Sequence, residues 1–193
     1  MLVVIEFQLN NKTNPPTILF YFCIIITNMI KKSDLRQIKY SEWGKILDKL
    51  EKQNRLLGIE PKDNVNLENI DRLKTDLTNL VKYLSEMNLP VVLSSYPVLL
   101  TRENISQYIH IFLDARRFSV ELTLAGMIDA SEKFNRAIRN VAEITGSGFV
   151  DNDATIPKNI NYFGDNVHYT DDGAMIIALN YYQHLINSTL LNK

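Results

Sequence analysis

Between Leu67 and Ser94 the sequence changes its period once. Ile70, Leu73, Leu77, Leu80, Val81 and Leu84 recur at three- and four-residue intervals, which lines them up along one side of a helix. Asp71, Arg72, Lys74 and Lys82 fall on the opposite side. Asn88, Leu89 and Pro90 then break the pattern. Val91 to Ser94 follow as a short apolar run closed by Tyr96 and Pro97. A run without polar alternation suits a strand covered on both faces. An amphipathic helix running straight into such a strand restricts the chain to helices layered on a sheet.

The same alternation recurs elsewhere. Leu2 to Phe7 is almost continuously apolar and rich in β-branched residues, so it reads as a first buried strand. Ser41 to Leu57 reads as a helix, with Trp43, Ile46, Leu47 and Leu50 at helical spacing and Gly58 as its stop. Val98 to Gly126 is less regular and reads as a loop with one or two short helices. Ile128 to Thr145 is a helix with Phe134, Ile138, Val141 and Ala142 on one face. Phe149 and Val150 begin a third strand, and Asp151 to Val167 is a long loop. Asp171 to Leu185 is the last helix, with Thr170 as N-cap and Met175, Ala178, Leu179, Tyr182 and Ile186 turned inward. Strands separated by helices predict an α/β domain with a parallel sheet and helices on both faces. In such sheets functional loops follow the strand ends, here at Gln8, Ser94 and Val150. The whole of residues 1–193 reads as one domain.

A formal net charge of −1 gives no reason to expect a nucleic acid or an anionic membrane as partner. Cys23 is the only cysteine, so neither an internal disulfide nor a cysteine zinc site is available, and nothing fixes the compartment. No phosphate loop or metal-ligand spacing stands out, and no cofactor is expected. Thr17 to Ile30 (TILFYFCIIITNMI) is shorter than the ~18–20 residues a spanning helix needs. A buried or groove-lining helix is the favoured reading; membrane contact through residues 17–30 and an uncleaved anchor are the others.

The chemistry lies near the end of the chain. In Gly164 to Ala174 (GDNVHYTDDGA), Asp165 and His168 stand three apart just before the last helix. One loop can hold both, with the carboxylate on one ring nitrogen and the other nitrogen turned to a nucleophile. On spacing alone, a polar loop with a helix cap is the favoured reading, because Asp-x-x-His is a short pattern. His110 and His184 are isolated, and Arg116 and Arg117 read as a solvated surface.

The stretch resembles the last block of the SGNH/GDSL hydrolases: Asp-x-x-His, a hydroxyl residue, an acidic residue, Gly, then a final helix. Asp165, His168, Thr170, Asp172, Gly173 and the helix from Ala174 match it. The resemblance implies a flavodoxin-like three-layer α/β/α fold, with His168 as general base and Asp165 orienting it. It also implies an oxyanion donor after an earlier strand, where Asn10 stands. Two residues depart from that block: Gln8 replaces its glycine and Asn11 its aspartate.

The family's serine belongs to a Gly-Asp-Ser block two strands before the asparagine block. No Gly-Asp-Ser occurs here, so the first strands of the fold are expected to be missing from this chain, along with the true N-terminus. Ser94 and Ser95 follow a strand, but in the family that position is not catalytic. The resemblance thus implies an ester hydrolase with a Ser-His-Asp triad, acting on an acyl ester or an acetylated sugar, whose serine lies outside this chain. A chain lacking that serine is expected to be inactive by itself. Two further readings remain: a non-catalytic, degenerate relative that binds an acyl or sugar ligand, and a membrane-associated structural protein resting on residues 17–30 alone. With its neighbour absent, Leu2 to Phe7 is expected to form an exposed edge.

Overall fold

The computed structural model describes residues 40–116 and 119–188. The expected strand Leu2–Phe7, the apolar segment 17–30, Cys23 and Asn10 lie outside the described residues. The described part is mixed α/β: α1 (Tyr40–Leu57), α2 (Leu67–Glu86), β1 (Val92–Ser94), α3 (Ile109–Ala115), α4 (Leu124–Thr145), β2 (Gly148–Val150), α5 (Asn152–Thr155) and α6 (Asp171–Asn187). Among the described residues, β1 and β2 form a two-stranded parallel sheet, with Val92 opposite Gly148 and Ser94 opposite Val150.

α2 follows its sequence period. Asn66 caps it by accepting from the Glu68 N–H at 3.1 Å. Its stripe buries Ile70, Leu77 and Val81. Asn88 ends the helix in the left-handed conformation at φ 56°, and Leu89 N–H returns to the Leu84 carbonyl. α2 packs on α4, and the two cover one face of the sheet through Leu93, Val141 and Ala142, with Phe149 against them. Side chains alternate along a strand, so the other face belongs to α6. There Gly148 lies under His184, where an added Cβ would come within 2.6 Å of the ring. Tyr181 of α6 bonds Ser94.

α4 begins at Leu124, four residues before the expected start. Gly126, the expected end of the irregular stretch from Val98, is helical and buried. A Cβ there would lie 2.2 Å from the Lys62 carbonyl oxygen, so glycine serves close approach. Thr123 caps the helix by accepting from Gly126 N–H. α4 is long enough to join two cores. Its C-terminal half enters the α2–β1 cluster; its first turns, through Ile128, enter a second cluster of Leu99, Leu100, Tyr108, Phe112, Ile156 and Phe163.

α6 departs from its reading. Met175, Ala178, Leu179, Tyr182 and Ile186, expected inward, are exposed. Gly173, Ile176, Ile177, Asn180, Tyr181 and His184 turn toward the protein instead. The helix is apolar almost all round, so its periodicity does not set its rotation. Gly173 does: a Cβ there would sit 2.1 Å from the Tyr162 carbonyl oxygen. Only this side of the first turn can lie against the preceding loop.

Candidate active site

The loop before α6 is closed at its base by the backbone. Phe163 and Tyr169 form an antiparallel bridge. Gly164 N–H donates to the His168 carbonyl at 2.8 Å, and Thr170 N–H to the Tyr162 carbonyl at 3.1 Å. Thr170 then caps α6: its hydroxyl accepts from Gly173 N–H and donates to the Asn161 carbonyl at 2.6 Å. The helix start and the loop base are therefore one structure.

Within this loop the Asp165 carboxylate gathers three donors. Oδ1 accepts from the backbone N–H groups of Val167 and His168, each at 2.8 Å. Oδ2 meets His168 Nδ1 at 2.6 Å. Against an ionised carboxylate, which only accepts, Nδ1 is the donor, and in the neutral ring Nε2 is then the nitrogen with the lone pair. The imidazole side chain is 50% exposed. Among the described residues no serine hydroxyl bonds its second nitrogen. The hydrogen bond expected from the Asp-x-x-His spacing is present, and the backbone contacts fix the carboxylate independently of the ring.

The loop rests on residues 96–100, which follow β1. This stretch is largely buried yet has no sheet or helix partner, so its backbone groups need partners from elsewhere. Side chains supply most of them. Asn135 of α4 accepts from Tyr96 N–H at 2.7 Å and donates to the Tyr96 carbonyl at 3.0 Å. Tyr169 hydroxyl donates to the Pro97 carbonyl at 3.1 Å. Asp153 accepts from Val98 N–H, and Lys158 donates to the Val98 carbonyl. Asn166 accepts from Leu99 N–H with its carbonyl and from Leu100 N–H with its side chain. Asn104 donates to the Leu99 carbonyl at 2.8 Å. The Tyr96 hydroxyl reaches the Val167 carbonyl at 3.4 Å. Burial, and then the nearby Asp165 charge, raise that phenol above its ordinary range.

Ser94 and Ser95 are committed elsewhere. Ser95 is buried; its hydroxyl donates to Asp151 at 2.8 Å and accepts from Asp153 N–H at 2.8 Å. Arg139 pairs with the other oxygen of Asp151. Ser94 Oγ accepts from Asn152 Nδ2 and donates to the Ser95 carbonyl. These bonds join the strand ends to the β2–α5 turn and leave neither hydroxyl for His168.

Asn10 lies outside the described residues, so its expected place beside the pair has no counterpart here. Of the isolated histidines, His110 sits on α3, and His184 packs over Gly148 with its Nε2 buried and unpartnered. Reading the sequence missed Asn104, Asn135, Asp153, Lys158 and Asn166. Only Asn166 had a signal, being inside the Asp-x-x-His stretch; the others are single polar residues whose partners are distant in sequence. A cavity of about 10 Å³, lined by Leu100, Phe112, Met127, Ile128, Ser131 and Asn166, has room for about one water and is far smaller than the ~300 Å³ of a typical ligand site. Among the described residues no group of three or more His, Cys, Asp or Glu is placed to hold a metal ion, and no helix is long and apolar enough to cross a membrane. No family model matches the chain, and comparison with characterised proteins and with solved structures found no match.

Proposed function

We propose that the protein is an ester hydrolase of the SGNH/GDSL type, with His168 as general base and Asp165 as the carboxylate that orients it. The observation that carries this reading is the 2.6 Å contact between Asp165 Oδ2 and His168 Nδ1, with Asp165 Oδ1 held by two backbone N–H groups. That arrangement selects the imidazole tautomer whose free Nε2 can take a proton from a hydroxyl. In the reaction, a serine oxygen attacks the ester carbonyl as His168 takes its proton. The resulting oxyanion is held by donors including Asn10, the alcohol leaves with the proton from His168, and water then releases the acyl group. The serine comes from a Gly-Asp-Ser segment that these 193 residues do not contain. The fold assignment that goes with this reading is the flavodoxin-like three-layer α/β/α arrangement, with helices on either side of β1 and β2 as its visible support. The substrate class is a small acyl ester or acetylated sugar.

The test is labelling by a fluorophosphonate probe together with p-nitrophenyl acetate turnover. The 193 residues alone are expected to give neither. A version extended upstream with the two strands and the Gly-Asp-Ser loop is expected to give both. In that version His168→Ala should lower turnover by several orders of magnitude, up to about 10⁶-fold, and Asp165→Asn by about 10²–10⁴-fold. Turnover unchanged by His168→Ala would end the reading. Labelling of the 193 residues at Ser94 or Ser95 would overturn the assignment of the nucleophile.

A second reading, a non-catalytic relative that binds an acyl or sugar ligand, is favoured by Gln8 and Asn11 standing where the family has glycine and aspartate. Silence of the extended version in both assays would favour it.

A further inference from the structure

We propose that Asn135 is a positioning residue for the Asp165–His168 pair and acts on it through Tyr96. What the pair does rests on the hydrolase reading above; how the pair is held does not.

Asparagine inside a helix is less favourable than alanine by roughly 0.5 kcal/mol, so helix formation does not account for Asn135. Its carboxamide makes two bonds to a single distant residue. Oδ1 accepts from Tyr96 N–H at 2.7 Å, and Nδ2 donates to the Tyr96 carbonyl at 3.0 Å. Together they hold the peptide planes on both sides of Tyr96, as a neighbouring strand would. With φ and ψ held there, the direction of the Tyr96 Cα–Cβ bond is set, and the choice of rotamers for the ring is narrowed.

That side chain ends on the loop in question. Its hydroxyl donates to the carbonyl of Val167, which lies between Asp165 and His168. The return contact comes from the residue after the histidine, where Tyr169 hydroxyl donates to the Pro97 carbonyl at 3.1 Å. His168 is thus bracketed: the backbone before it is held by Tyr96, and the side chain after it holds the backbone next to Tyr96. The rise in the Tyr96 phenol pKa caused in part by Asp165 agrees with their closeness. The Asn135 carboxamide bonds Tyr96 and not Asp165 or His168, so it acts at one remove. Without it, two backbone groups of Tyr96 lose their partners, and residues 96–97 gain freedom that passes to the Val167 carbonyl. The Asp165 carboxylate and the His168 ring then share a less defined geometry.

The readout is the tautomer of the His168 imidazole, taken from its ¹⁵N shifts in the 193-residue protein at mildly alkaline pH. In the wild type the Nδ1–H form is expected to dominate, because Asp165 accepts that proton. Asn135→Ala should lower the Nδ1–H to Nε2–H ratio about two- to tenfold, the size of one net hydrogen bond. Tyr96→Phe should lower it as well. In the double variant the ratio should fall no further than in Asn135→Ala alone, since both act on one path. An unchanged ratio in a folded Asn135→Ala protein overturns the proposal, and so does full additivity in the double variant. If Asn135→Ala fails to fold, an unchanged ratio in Tyr96→Phe overturns it by itself. A general loss of packing would lower the melting temperature without moving the tautomer. Ester turnover of the extended protein tests the hydrolase reading separately. A tautomer shift beside unaltered turnover in His168→Ala would remove that reading and leave this one standing.

Discussion

Two regions of the molecule bury their backbone in different ways. In the region of α2, β1 and the second half of α4, helices and strands satisfy the main chain, and side chains contribute apolar area: Leu77, Val81, Leu93, Val141 and Ala142. In the region around Leu99, Phe112 and Phe163, much of the buried chain is neither helix nor strand. Its main-chain groups take partners from Asn104, Asn135, Asp153, Lys158 and Asn166. The first region is held by periodicity, the second by individually placed polar side chains. The candidate site is in the second, where a loop can have any shape its side-chain contacts specify.

The largest expected effect joins the two. Phe163 is 1% exposed, packs edge-on to Tyr169 at 5.5 Å and forms one half of the bridge that closes the Asp165–His168 loop. Phe163→Ala should cost about 3–5 kcal/mol in urea denaturation, and Leu77→Ala in the other region about 2–5 kcal/mol. Because α4 enters both cores, each variant should shift one common transition. Two separated transitions, each sensitive to only one of the variants, would show that the regions unfold independently.

This difference also decides what the sequence discloses. The α2 stripe was legible because its phase repeats over twenty residues, and Asn88-Leu89-Pro90 marks its end. The Asp165–His168 contact was legible because its two residues are three apart and locally closed. Residues 96–100 were not, since YPVLL has no period and its partners lie up to 72 residues away. The first turn of α4 was not legible because the reason for Gly126 there, close approach to the Lys62 carbonyl, is far off in sequence.

Removing one polar anchor tests the second region next. Asn104 accepts from Thr101 N–H at 2.8 Å and donates to the carbonyls of Leu99 and Lys158. Asn104→Ala leaves these part-buried groups without that partner and should cost about 1–3 kcal/mol. A hydroxyl of the first region, Thr75, bonds only the Asp71 carbonyl within its own exposed helix turn. Thr75→Ala should stay within about 0.5 kcal/mol. Equal costs in a denaturation series would erase the distinction.

Alkaline pH should loosen the second region. Burial raises the phenols of Tyr96, Tyr169 and Tyr181, with the Ser94 contact offsetting part of the rise at Tyr181. The folded state therefore favours the neutral phenol, whereas the unfolded chain releases the proton near ~10. The stabilisation is complete below that pH and is lost as pH climbs toward the higher folded values. The urea midpoint should fall above about pH 10, and Tyr169→Phe should reduce the fall. A midpoint that does not move across this range would contradict the burial of these rings.

The smallest effect concerns the two sides of α6. Its exposed side carries Met175, Leu179, Tyr182 and Ile186, the set its sequence suggested would be buried. Its inner side sets Ile176 and Ile177 against the second core. The rotation follows from the close contact of Gly173 with the Tyr162 carbonyl, with Asn180 bonding Asn152 at 2.8 Å further along the helix. Leu179→Lys puts an ammonium where the side is open and should change stability by less than about 0.5 kcal/mol. Ile177→Lys, two residues earlier, sets the same charge against Leu99 and its neighbours and should cost about 1–3 kcal/mol. The ratio of the two costs measures the rotation directly. If Leu179→Lys proved the more costly, the helix would be turned the other way in solution or its apolar side would be covered. Gly173→Ala would then separate these outcomes: with the rotation described here it clashes with backbone and destabilises, whereas in a helix turned away from Tyr162 it would be close to neutral.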